Sequence, residues 1–183
     1  MLLERIANLS AYLALIVVLA ASASTLAADR GPLVLSSSAF ASGATIARQY
    51  TCDSADNSPP LTWDGVPDGT KSFALILADP DAPSGNFIHW VVYNLPAAAR
   101  SLPEALQKTK SIASGGAQGI NSFGRIGYNG PCPPRGPAHH YHFKLYALDA
   151  ALDLKSAASA AAVEAGVKGH VLATAELVGT FGR

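Results

Sequence analysis

Two aspartates alternate with prolines in Asp79-Pro80-Asp81-Ala82-Pro83, and His89 stands at the head of the apolar run that follows. Carboxylates within reach of an imidazole suit acid–base chemistry, metal ligation or hydrogen-bond recognition of a charged group. Proline fixes its own φ and pushes the preceding residue toward extended backbone, so Asp79 and Asp81 can turn toward one face. A second cluster is Gly130-Pro131-Cys132-Pro133-Pro134, followed by His139, His140 and Tyr141. So many prolines make a stiff loop, which can hold a histidine and a tyrosine at a pocket wall with little conformational entropy left to lose on binding. Taken one at a time, both clusters have plainer readings. The aspartates serve turns, His89 is hydrogen-bonded within a sheet, and the proline loop is a rigid connector.

The catalytic options narrow quickly. No serine or cysteine sits in a recognisable nucleophile motif, there is no HExxH, and Cys132 between two prolines has no evident base. The alternative to a binding protein is a hydrolase using the Asp/His cluster, by acid–base chemistry of two carboxylates and two histidines or with a metal held by Asp79, His89 and His139, with His140 or His142. Nothing in the sequence calls for a cofactor. Cys52 and Cys132 show no zinc-type spacing; they form either a disulfide or two small buried thiols.

The elements around these clusters read as strands. Leu33-Val34-Leu35 begins an extended stretch, and Gly43, Asn57, Pro59 and Pro60 break the chain up to Trp63 into short segments. Ser72 to Ala78 is almost continuously apolar and bounded by turn residues, as in a central strand covered on both faces. Ile88 to Leu95 is a second such run, and the short connection makes the two antiparallel neighbours. Arg100 to Pro137 has no period and reads as long loops with a short strand or turn. His140 to Leu148 alternates, with Tyr141, Phe143, Leu145 and Ala147 on one face. Ser156 is expected to cap a helix that runs to Lys168 and stops at Gly169, before a last strand over Val171 to Val178. The pattern predicts a mainly β, antiparallel sandwich with one or two short helices rather than βαβ units.

The chain has 183 residues, 49% hydrophobic and 14% charged, enough for one well-buried core. Lys plus Arg number 13 and Asp plus Glu 13, so no net field exists to hold nucleic acid or an anionic membrane surface. Part of the hydrophobicity lies in Leu9 to Ala23, a short apolar run after Arg5 and before the small residues Ala27 and Ala28. Residues 1–28 read as a signal peptide, with an uncleaved N-terminal anchor as the rival, and 29–183 as the folded domain. The expected location is periplasmic or secreted, which also permits a Cys52–Cys132 disulfide.

Several motifs together resemble the phosphatidylethanolamine-binding family, in its bacterial Raf-kinase-inhibitor-like branch. They are DPDAP at 79–83, HW at 89–90, and GPCPP with HHY between 130 and 141. YTCD at 50–53, SPPLTW at 58–63, GVPDGTKSFAL at 65–75, FGRIGYNGP at 123–131 and GHVLATAELVGTFGR at 169–183 frame them in the same order. The resemblance implies a two-sheet antiparallel Greek-key sandwich with a small anion pocket at one end. It places Asp79, Asp81, Pro83, His89, Gly130, Pro131, His139 and Tyr141 at that pocket and makes Ala82–Pro83 the candidate for a cis peptide. It further implies a non-catalytic protein that binds phosphate-type anions or a phosphoethanolamine-like headgroup and regulates a protein partner. Backbone N–H groups of the 130–132 loop, His139 and Tyr141 would donate to the anion, while Asp79 or Asp81 would hold His89 or His139 as a cation. The short stretch Arg135 to Ala138 departs from the longer Gly-His-containing segment of many members.

Overall fold

The computed structural model describes residues 31–183; the leader read at 1–28 lies outside the described residues. Three strands form one small antiparallel sheet in the order β1-β2-β5: β1 (Val34–Ser36), β2 (Leu61–Asp64) and β5 (Ser101–Leu102). The larger antiparallel sheet has the order β6-β4-β3-β7-β8, from β3 (Ser72–Asp79), β4 (Phe87–Pro96), β6 (Ala117–Gln118), β7 (His139–Leu148) and β8 (Val171–Phe181). β7 comes back past β4 to pair with the far edge of β3, which is the Greek-key return, while β5 leaves for the other sheet.

Strand alternation makes the two cores. Leu75, Leu77, Phe143, Leu145 and Leu177 point inward and meet Leu35, Leu61, Trp63 and Leu102 of the small sheet. The residues between them face outward: Ala74, Ile76, Val91, Tyr93 and Leu148, buried under Val163 and Val167 of the helix α1 (Ala160–Val167). This double coverage explains why β3 is apolar at nearly every position.

The structure departs from two expectations. The helix is capped by Ser159, whose hydroxyl accepts from the Ala162 N–H at 3.3 Å, and not by Ser156. Ala157 sits at φ +62°, a left-handed turn that breaks any helix starting at Ser156. Ala82–Pro83 is trans, as is every other peptide bond among the described residues. No helix among the described residues is long and apolar enough to cross a membrane.

Candidate functional site

The end of the large sheet carries the two polar clusters, and a local irregularity aims them. Leu77 pairs with Trp90, but the next residue, Ala78, pairs with Ile88, so His89 is the extra residue of a β-bulge. A bulge lets two successive side chains point to the same face. Trp90 therefore enters the inter-sheet core, where its indole N–H donates to Gln118 Oε1 at 2.8 Å, while His89 is also turned inward at the strand end. The His-Trp pair in the sequence is this bulge.

His89 is buried and held from one side. Its Nδ1 lies 2.7 Å from the Asn129 carbonyl oxygen and 3.1 Å from that of Gly130. Carbonyls only accept, so Nδ1 carries the proton and Nε2 is left free for a ligand. Burial pushes the His89 pKa down; the bonds to Asn129 and Gly130 and the charge of Asp79 oppose this only in part. His139, at the start of β7, is held in the same manner by a different acceptor: its Nδ1 is 2.8 Å from Asp79 Oδ2, and both side chains are buried. The other Asp79 oxygen accepts the Asp81 N–H at 2.9 Å and closes the turn. Asp81 itself points outward to His140, accepting from its N–H at 2.8 Å and lying 2.8 Å from its Nδ1. The hydrogen bond from the His140 side chain, then that from its backbone, hold the Asp81 carboxyl below the usual range.

Asp79, His89 and His139 line a cavity of about 170 Å³. Ala82, Pro83, Phe87, Phe123, Pro133 and Pro134 form apolar walls, Ser84 and Cys132 complete the lining, and no lysine or arginine is among the lining residues. Phe87, Phe123 and His89 meet edge to face, with centroids 4.9 to 5.4 Å apart. Of the eight residues expected at the pocket, Asp79, Pro83, His89 and His139 border the cavity, and Asp81, Gly130, Pro131 and Tyr141 are not among its lining residues.

The residues outside the lining have structural tasks. The Gly130 N–H donates to Asp56 Oδ1 at 2.6 Å, so it is not turned to an anion as expected. The Pro131 carbonyl accepts from the Cys52 N–H at 3.1 Å, beside the Cys52–Cys132 disulfide. Tyr141 stacks edge-on against His89 at 5.2 Å. Its hydroxyl is buried and makes no hydrogen bond of good geometry, although the Asp79 carboxylate and Cys132 amide are close. Burial and then the Asp79 charge push this phenol far up, so it stays protonated. Of the aspartate–histidine pairings offered, the structure makes Asp79 with His139, while the His89 ring is held by carbonyls and not by an aspartate.

A supporting layer escaped the sequence reading. Asp56 also accepts from Asn129 Nδ2 at 2.9 Å and from Lys108 Nζ at 2.6 Å, fixing the very carbonyls that hold His89. Asn121 Nδ2 donates to Asn129 Oδ1 and to the Gly127 carbonyl, both at 2.9 Å. Arg183 clasps the proline wall, its Nε donating to the Pro133 carbonyl at 2.8 Å and its guanidinium lying 3.4 Å from Asp53. The only hint of this layer was the polar content of the loops themselves. Among the described residues, no group of three or more His, Cys, Asp or Glu side chains is placed to hold a metal ion.

Comparison with known proteins finds relatives of the sequence and of the fold. The family profile described as phosphatidylethanolamine-binding protein matches residues 36–182. A UPF0098 protein of Aquifex aeolicus is 50% identical over 149 residues, 80% of this chain and 86% of that one. The crystal structure of Escherichia coli YbcL, described as a member of the mammalian PEBP family, superposes with a TM-score of 0.78 at 35% identity, covering 84% of this chain and 99% of that one. A phosphatidylethanolamine-binding protein homologue from Chlamydia trachomatis superposes with a TM-score of 0.76 at 39% identity, over 83% of this chain and 98% of that one.

Proposed function

The chain belongs to the phosphatidylethanolamine-binding protein family, and from that membership we propose a non-catalytic binding protein whose cavity holds the head of a phosphate-type anion or phospholipid headgroup. One observation carries the reading. Two buried imidazoles border a small cavity, each anchored through Nδ1 so that its remaining ring nitrogen is available to a ligand. A neutral ring offers that nitrogen as an acceptor; a protonated ring offers it as a donor. With no lysine or arginine in the lining and Asp79 alongside, these two rings are the lining groups able to present positive charge to an anion.

Hydrolysis is the weaker reading. Both oxygens of Asp79 are occupied in holding His139 and the 79–81 turn, and Cys132 is tied in a disulfide. A location outside the cytoplasm is part of the proposal, since a Cys52–Cys132 bond persists in an oxidising compartment.

The test is a two-dimensional NMR titration of the purified protein with phosphate, phosphoethanolamine and acetate, repeated with His139→Ala. Saturable shifts at residues 79–89 and 130–141 are expected, lost in the variant. Affinity should rise as pH falls through imidazole titration, until carboxylates protonate. A flat affinity between about pH 5 and 8 would remove the imidazolium as the donor.

A further inference from the structure

The opposite face of β3 and β7 bears a second and larger cavity, about 330 Å³, unconnected with the chemistry described above. Alternation places it: Asp79, His139 and Tyr141 turn to one face of these strands, and Ile76, His142, Lys144 and Tyr146 turn to the other. Its lining is mixed. Ile76 and the Tyr146 ring are apolar, Glu176 comes across from β8, and Glu164 comes from the exposed side of α1.

The charges within it are unevenly matched. Glu176 is served twice, by His142 Nδ1 at 3.0 Å and by Lys144 Nζ at 3.8 Å. Glu164 makes no ion pair or side-chain hydrogen bond with the described residues, and the Tyr146 hydroxyl makes none either. Burial, with Glu164 and Glu176 nearby, pushes the Tyr146 phenol up, so the ring keeps its hydroxyl proton. An uncompensated carboxylate beside an aromatic ring and an aliphatic side chain complements a cation that carries some carbon. An anion would face Glu164, and no group of ligands here is arranged for a metal ion.

We propose that this outer cavity binds a small organic monocation, an alkylammonium or alkylguanidinium, with its head at Glu164 and Tyr146 and its stem against Ile76. The proposal is independent of the anion pocket. Butylammonium chloride, butylguanidinium chloride and the uncharged control 1-butanol would be titrated into the full purified protein and followed by two-dimensional NMR. Saturable shifts at Tyr146, Glu164 and Glu176 are expected with one or both cations, and the stronger of the two identifies the preferred head. Butanol should bind at least about tenfold more weakly, the scale of one charge-assisted hydrogen bond. Glu164→Gln, at an exposed position, should weaken the cation about tenfold with the rest of the spectrum unchanged. Lys144→Met, which removes the competing ammonium, should tighten it. Absence of saturable shifts, equal binding of butanol, or unchanged affinity in Glu164→Gln would overturn the proposal.

Discussion

His89 owes its chemistry to burial. Its pKa is depressed below the ordinary imidazole value of 6.5, chiefly because the surrounding core disfavours the cation. Above that value both folded and unfolded chains carry a neutral ring, and His89 gives stability no pH dependence. As pH drops through 6.5 the unfolded chain takes up its proton first, so stability falls until the folded pKa is passed as well. Thermal unfolding should therefore show a loss of stability from about pH 7 downward, and the loss should be shallower in His89→Gln. An identical pH profile in the variant would show that other groups carry it. At this scale the two polar clusters stood out in the sequence more readily than the contacts each of their residues makes. Asp79 and His139 belong to one hydrogen bond because their strands are neighbours, which motif spacing does not state. Asp81 and Asp79 diverge because a turn separates them, and Phe87 and Phe123 are too ordinary as residues to stand out before the fold brings them together.

At the scale of elements, the 129–132 loop acts as a bracket between the helical turn at Arg48–Tyr50 and the bulge on β4. Gly130 has to be glycine for reasons of space, since a Cβ there would strike the Tyr50 carbonyl oxygen and crowd Thr51. Gly130→Ala should cost about 1–3 kcal/mol in urea unfolding, as an overpacked site does. It should also displace the two carbonyls that orient His89 and so weaken phosphate binding; unaltered stability would mean that the loop yields freely. The long strands were legible because alternation and apolar runs are written over many residues. β5 and β6, two residues each, are set by pairing with distant partners and leave no periodic trace. The helix start moved from Ser156 to Ser159 for a related reason. Both serines can cap, and the choice falls to the packing of Ala160, Val163 and Val167 against the sheet.

Across the whole molecule the Cys52–Cys132 bond joins residues 80 positions apart, tying the segment after the Arg48–Tyr50 turn to the cavity wall. A loop of that size implies about 4 kcal/mol of stabilisation through the unfolded state. The double variant Cys52→Ala/Cys132→Ala should lose roughly that amount in urea unfolding, and its phosphate affinity should fall because Cys132 lines the cavity. Equal stability of the two proteins would mean that the Greek-key core alone determines it.

The return of β7 to the far side of β3 bears on how the protein is made. Asp79, His89 and the proline loop all precede His139 in the chain, but β3 has no neighbour on its β7 side until residues 139–148 arrive. A nascent chain that has emerged only as far as the proline loop therefore displays the apolar edge of its central strand, the kind of template that recruits strands from other chains. The same late strand carries the histidine that completes the cavity. Edge protection and the His139 wall of the cavity thus arrive together with β7, and a chain truncated before it would lack that wall and be prone to self-association.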